Sequence, residues 1–338
     1  MEGILEIFDT KGIIDYLKDR VYPTYMGTEL FPEEKRDELK FDELSEGSNI
    51  PVIASVHAFD AEAEIGTREA QEKSMELALI KRKMQLKEEE IIKILHPRTN
   101  QEKKRLINNV YADIDNLVQG IMARVELMRM EIVAKGTVTL EENDLKAVLD
   151  YGIPEEHKAA NVNWSSAESD PISDIMTWFN KLGTKPTRII TSNTVLAKLT
   201  RHPNVVAALY GNGAKRIATA GELNNYLESL GLPKIYTNDD TYRKQLANGK
   251  YETRRFFPEN CFSMIPGETL GKTIYGPTAE ETRLSTKPDI DVEAIGKILA
   301  IMYEEGTDPV STWEKAVATA LPSLACADKI FQAEINLG

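Results

Sequence analysis

TNQEKKRLINNVYADIDNLVQGIMARVELMRMEIVAKG, residues 99 to 136, reads as one uninterrupted helix. Thr99 places a hydroxyl at the N-cap and Glu102 stands three residues on, the spacing at which two free backbone N–H groups are satisfied reciprocally. Leu106, Val110, Ile114, Leu117, Ile121, Val125, Met128 and Ile132 then recur every three or four residues, forming one continuous apolar stripe. Gly136 follows as the C-cap. Residues 100 to 135 at 1.5 Å each span ~54 Å, about three times the average helix of ~11–12 residues. A stripe lasting about four heptads is compatible with a coiled coil or with a helix laid along a sheet.

The chain on the N-terminal side alternates instead. Ile50, Val52, Ala54, Val56 and Ala58 face one way, and Ile53, Ser55, His57 and Phe59 the other, which is a strand. After an acidic tip, DAEAEIG (60–66), the run SMELALIKRKMQL (74–86) returns antiparallel, with Met75, Leu77 and Leu79 alternating before Lys81, Arg82 and Lys83; a helix is its competing reading. A lone two-stranded excursion is marginal in water and needs a neighbouring surface. Residues 1 to 47 begin with Ile4, Ile7, Ile13, Ile14 and Leu17 at helical spacing. A polar stretch from Pro32 to Gly47 follows, with too few apolar residues to close a core, so the segment is expected to be an arm lying on something else.

On the C-terminal side, TVTLEENDLKAVLDYG (137–152) reads as a strand and turn. Asp170 and Pro171 cap and start a helix with Ile172, Ile175, Met176, Phe179 and Leu182 on its buried face and Gly183 closing it. Then α and β alternate: TRIIT (187–191) as a buried strand, Ser192 as a cap, HPN (202–204) as a break, GELNNYLESLG (221–231) as a helix and LPKIYTND (232–239) as a strand. Strand-like residues lie around Cys261 to Ile265, and a hairpin runs from Gly296 to Leu321 through EEGTDP. ATALPSLACADKIFQAEI (318–335) adds two strands and a bend, the last strand expected to help close the subunit's sheet.

The 338 residues allow two domains, and 42% hydrophobic with 28% charged residues is globular composition. A formal net charge of −13 disfavours a dedicated nucleic-acid binder, because phosphate contacts need a basic surface. Cys261 and Cys326 form no CxxC pair, so neither a disulfide framework nor a zinc ribbon is supported. Glu2, Glu6 and Asp9 interrupt the first residues, so no signal peptide is expected, and no apolar run reaches the ~20 residues of a membrane span.

Few residues invite chemistry. His57, His96, His157 and His202 are far apart and lack metal-ligand spacing, so each is expected as a surface or strand histidine. Cys326 is expected as a small buried strand residue rather than a nucleophile. YGNGAKR (210–216) lacks the four-residue glycine spacing and the GKS or GKT of a phosphate loop, which leaves a connection between helices. Glu88 to Glu90 reads as a solvated face. Lys81, Arg82 and Lys83 make the compact basic cluster, either a solvated strand end or a contact for an acidic neighbouring subunit. No catalytic, cofactor or metal residue is nominated.

The order is arm, hairpin, very long helix, α/β insertion and return into strands. It resembles the major capsid proteins of tailed phages, the Hong Kong 97-like fold, and within it the lambda-type major capsid protein E family. Two stretches carry this most specifically. FFPENCFSMIPGETLGKTIYG (256–276) is similar to the family's Phe, Pro and acidic-Asn turn leading to a Tyr-Gly stretch, here Phe257, Pro258, Glu259, Asn260, Tyr275 and Gly276. DPVSTWEKAVATALPSLACADKIFQAEI (308–335) is similar to its Asp-Pro, aromatic, Leu-Pro, acidic turn and final strand, and DPISDIMTWFNKL (170–182) matches more weakly.

The resemblance implies an α+β fold with an N-terminal arm (1–47) and an extended hairpin loop (48–87). It implies a peripheral domain (88–184 and 263–338) with its spine helix at 99–135, and an α/β axial domain (185–262). It implies a non-enzymatic phage or prophage head protein without cofactors, forming pentamers and hexamers of an icosahedral shell around double-stranded DNA that it touches weakly. Expected partners are further copies, a scaffolding protein, a portal and a decoration protein, with no membrane; the expected location is the virion, after assembly in the host cytoplasm. No long scaffold-like coiled-coil segment is expected before the arm, in keeping with the lambda-type arrangement in which scaffolding is a separate protein. The alternatives are an encapsulin-like compartment shell and a small-molecule enzyme built on residues 185–262.

Overall fold

A computed structural model describes residues 3–45, 71–142, 145–246, 248–284, 296–306 and 311–337. The chain opens with helices α1 (Ile4–Ile7), α2 (Thr10–Lys18) and α3 (Met26–Leu30), then strands β1 (Glu33–Lys35), β2 (Lys40–Ser45), β3 (Gln71–Glu76) and β4 (Ala78–Leu86). Helix α4 (Glu88–Leu95) leads into α5 (Asn100–Lys135), followed by β5 (Thr137–Glu142), β6 (Leu145–Asp150) and β7 (Lys158–Val162). The α/β part holds α6 (Pro171–Lys181), β8 (Arg188–Thr191), α7 (Asn193–Arg201), α8 (Pro203–Tyr210), α9 (Ala220–Ser229) and β9 (Lys234–Thr237). The return comprises β10 (Thr241–Gln245), β11 (Tyr251–Arg255), β12 (Cys261–Ile265), β13 (Thr273–Gly276), α10 (Ala279–Leu284), β14 (Leu299–Glu305), β15 (Ser311–Pro322) and β16 (Phe331–Ile335).

The α5 helix forms as its stripe predicts, and it lies on a sheet rather than in a coiled coil. Every stripe residue from Val110 to Ile132 is buried, and the helix packs mainly on β15 and β4. Thr99 Oγ1 accepts from the Glu102 N–H at 3.1 Å, while the Glu102 carboxylate accepts from the Arg98 N–H at 2.8 Å, one residue before the expected partner. Beneath the helix runs β15, the central strand, paired with β4 along one edge and with β14 and then β13 along the other; β1 adds in parallel to β13. Ala316, Ala318 and Ala320 alternate along β15 within the same core as the α5 stripe, and their small side chains let the helix approach. Val317 belongs to a separate cluster on the sheet's other face, with Ile14, Leu284 and Leu299.

From Val125 onward α5 is buried on nearly all sides, because its end is wedged against a second sheet of order β7-β16-β12-β8-β9. A helix leaves its last carbonyls without internal partners. Here Gln332 Nε2 donates to the Ile132 and Val133 carbonyls at 2.8 and 2.9 Å, and Ser263 Oγ donates to Val133 O at 2.7 Å. Gly136 takes the left-handed conformation at φ 68°, where a side chain would be strained.

The second sheet carries its own core, in which Trp164, Trp178, Phe262 and Phe331 pack ring on ring with centroids 5.2–5.6 Å apart. Its helices start where expected, with Asp170 and Ser192 accepting from the N–H groups of Ser173 and Val195.

Several expectations change. The closing strand β16 does join a sheet as expected, and that sheet is the second one, where it lies between β7 and β12. On α6 the buried face is Ile172, Ile175 and Trp178, with Met176 41% exposed, because Trp178 joins the aromatic cluster. The polar stretch after Phe31 contains β1 and β2, stabilised by pairing with distant strands. Residues 137–142 and 145–150 are both strands, β5 paired antiparallel with β6, where one strand and a turn were expected. The expected strand at 50–59 and its tip lie outside the described residues, as does part of the 304–309 turn; β3, in the returning run, pairs antiparallel with β2, and β4 has left the excursion for the main sheet. The arm's Ile4, Phe8, Ile13, Leu30 and Phe31 are buried in the core of their own chain.

Candidate assembly surfaces

The arm is held to α5 by two charged clusters. Asp115, with its side chain 7% exposed, accepts from Tyr16 and Tyr22 hydroxyls at 2.8 Å each and from Arg20 Nη2 at 2.5 Å. Burial alone would raise its pKa, but these donors outweigh that and hold it below the ordinary aspartate value. One helical stretch later, Arg129 is fully buried and donates to Thr273 Oγ1, Thr28 Oγ1 and Glu33 Oε1 at 2.8–2.9 Å. Glu126 accepts from the Gly27 N–H at 2.9 Å, a contact close enough that a Cβ at residue 27 would collide with the carboxylate. Burial pushes Glu126 up to about 7 despite Arg129. These residues tie the arm, the spine helix and β13 at one point.

Toward the other end of β15, Glu314 is 1% exposed and both carboxylate oxygens lack a hydrogen-bond partner among the described residues. Burial pushes it up to about 8, and the nearby charges of Asp113 on α5 and Glu90 on α4 add to the rise. Glu314 is therefore protonated at neutral pH, the state in which burial of a lone carboxyl costs least. Glu90, expected as part of a solvated face, is thus one of three neighbouring carboxyl groups.

Two features face outward. The β2–β3 ribbon pairs with no third strand among the described residues, and it is anchored by the buried Phe41–Met75 cross-strand pair. The β4 strand pairs with β15 along one edge, and its other edge borders a groove of 1010 Å³ floored by Asn116, Gly120 and Arg124 of α5. Lys81, Arg82 and Lys83 sit in the middle of β4, not at a strand end, and Lys83 Nζ stands 4.0 Å over the Trp313 ring.

The residues singled out for chemistry are not brought together. His57 is outside the described residues, and His96 is an exposed helix C-cap. His157 is buried near Phe331, and His202 is a buried N-cap whose Nδ1 accepts from Asn204 N–H while Nε2 lies 3.0 Å from Ser166 O, so neither is a surface or strand histidine. Cys326 is buried with its thiol pushed up to about 12 by burial, but it lies in the bend before β16, with Sγ 3.3 Å from Leu270 O. The 211–217 segment is an exposed connection between α8 and α9. No group of three His, Cys, Asp or Glu side chains suited to a metal occurs among the described residues, and no helix among them is long and apolar enough to cross a membrane. Reasoning from sequence missed Glu126, Arg129 and Glu314; a signal for the first two was their i, i+3 spacing flanking the stripe at Val125, Met128 and Ile132.

A spine helix along a β sheet, joined end-on to an α/β sheet and carrying an arm and a paired ribbon, is the arrangement of the Hong Kong 97-like fold. Among solved structures, one described as the capsid protein of an Escherichia coli CFT073 prophage aligns with TM-score 0.60 at 16% identity, covering 99% of each chain. A phage-related protein from Bordetella bronchiseptica RB50 aligns with TM-score 0.53 at 13% identity, covering 95% of each. No curated protein matches the sequence. The chain belongs to the phage major capsid protein E family, whose model matches residues 12–335. It is a structural protein of the phage head shell and part of the virion.

Proposed function

We propose that this chain forms the pentamers and hexamers of an icosahedral head around double-stranded DNA, assembling in the host cytoplasm with a separate scaffolding protein, a portal and a decoration protein. It acts through surfaces and not through a reaction. Residues 1–47 serve as arm, 48–87 as extended loop and 185–262 as the part nearest the capsomer centre. Residues 88–184 and 263–338 form the wall around the spine helix at 99–135.

The observation that carries this reading is the β2–β3 ribbon, which has no third strand among the described residues. A two-stranded ribbon is marginal alone, so a surface on another copy completes it. The net charge of −13 supports weak contact with DNA, since packaging and release are both opposed by a wall that grips phosphate. Expressed alone or with its scaffold, the protein is expected to form capsomers or closed shells in negative-stain electron microscopy, and heads from producing cells are expected to contain DNA. A strictly monomeric protein, or shells filled with a protein cargo, would overturn it.

A further inference from the structure

Strands β13 and β14 follow one another along the same edge of β15. The first ends at Gly276 opposite Thr319 and the second starts at Leu299 opposite Val317, so neither places a residue opposite Ala318. A cavity of 350 Å³ lies at this joint, between the end of β13, the start of β14 and the helices α2 and α5. Small-molecule sites have volumes of about 300–1,000 Å³ and mostly apolar walls. Ile14, Val118, Tyr275, Leu299 and Ala300 form the buried wall, and the exposed Lys18, Gly296 and Lys297 mark the mouth. The polar groups inside are already engaged. Tyr22 donates to Asp115, and Glu33 accepts from Arg129 on one oxygen and from Lys297 on the other. Lys18 has no ion pair among the described residues.

We propose that this cavity binds an amphiphile of the fatty-acid class, its aliphatic body against Ile14, Val118 and Leu299 and its carboxylate at Lys18. The inference concerns the single subunit and stands whether or not the subunit forms shells. An apolar wall whose polar neighbours are satisfied asks a ligand for no hydrogen bond, and it gives water few partners. Burial of methylene groups therefore supplies the affinity. The unpaired cation at the mouth fixes the sign of the head group by charge complementarity. Glu33 does not oppose an anionic head, since Arg129 and Lys297 already face its two oxygens. Because the wall comes from α2, α5 and β14, a bound molecule touches arm, spine and sheet at once, and it stabilises the folded subunit in which the three meet.

The test titrates straight-chain carboxylates from octanoate to dodecanoate, each below its micelle concentration, into the full-length protein in a calorimeter. Saturable binding at one site per chain is expected, tightening about fourfold per added methylene, with a Tm that rises with ligand concentration. Dodecylammonium, of equal length and opposite charge, is expected to bind about tenfold or more weakly. Lys18 is exposed, so Lys18→Glu keeps the fold, and it is expected to reverse the preference between the two head groups. Met122→Trp fills the cavity from the spine helix and is expected to abolish binding of both. Absence of saturable binding by the wild type would overturn the proposal, as would many molecules bound per chain with equal affinity in the wild type and both variants. Equal affinity for the two head groups would overturn the role of Lys18 and with it the fatty-acid class. Where Met122→Trp fails to fold, the head-group preference of Lys18→Glu alone decides.

Discussion

The two sheets of this subunit solve the same packing problem in opposite ways. The α/β sheet is filled by rings and aliphatics, Trp164, Trp178, Phe262 and Phe331 with Ile175, Leu199 and Leu227, and its helices carry their own caps. The sheet under α5 is assembled from the arm, β4, β13, β14 and β15, drawn from across the sequence, and it buries Glu126, Arg129 and Glu314 among its apolar residues. One region is packed by apolar groups; the other is held by ionisable groups whose charge depends on solution conditions and, among the described residues, leaves one edge of β4 unpaired. A shell that forms from soluble subunits needs both a rigid block and a part that other copies complete.

Trp178→Ala should show the largest effect. It removes a ring stacked 5.2 Å from Phe331 and 5.6 Å from Trp164, and large aromatic truncations in a core cost about 3–5 kcal/mol. Denaturant unfolding of the unassembled subunit measures it, and the loss should be the same at pH 5 and pH 8.5. A pH-dependent loss would break the contrast between the sheets.

Glu314→Gln tests the other side. Its folded pKa is raised from 4.5 to about 8, so the folded state holds a proton that the unfolded state releases, and stability falls as pH rises between those values. Glutamine keeps the shape without the charge. It should be near neutral at pH 4.5 and stabilise by roughly 2–4 kcal/mol at pH 8.5. Glu126, pushed up to about 7, also contributes to the slope but is present in both proteins, so the difference between variant and wild type isolates Glu314. Equal stability of variant and wild type at pH 8.5 would mean that Glu314 finds a partner once ionised.

Much of this was legible in the chain, and what was not shares a cause. The stripe of α5, the caps at Thr99, Asp170 and Ser192, and the β14–β15 hairpin are local patterns, and local patterns survive folding. The strands inside the polar stretch 32–47 are not local: Glu33, Glu34 and Lys35 become a strand because β13 lies alongside, and Glu33 is held by Arg129 and Lys297. Which sheet β16 joins is likewise decided by partners far along the sequence, Cys261 to Met264 on one side and residues 158–162 on the other. Family resemblance supplied the architecture that periodicity could not. Glu314 stayed hidden because an alternating Thr312, Glu314, Ala316 reads as the polar face of a strand, whereas here both faces are covered.

The two ends of α5 give the smaller effects and a finer version of the same contrast. At Gly136 a Cβ would meet Ile153 Cδ1 at 2.7 Å and the backbone is left-handed, so Gly136→Ala should cost about 1–2 kcal/mol and loosen the joint between the sheets. At the other end Thr99 caps an exposed first turn, and Thr99→Ala should cost about 1 kcal/mol. Hydrogen exchange separates the two. Losing the cap should speed exchange in residues 100–105 alone, because those N–H groups are ordered by the cap and by nothing deeper, and Thr99→Ser should restore protection. Losing Gly136 should also expose amides of β12 and β16, since Ser263 and Gln332 hold the helix's final carbonyls from those strands. Deprotection confined to the first turn in both variants would mean that the helix end does not couple the sheets.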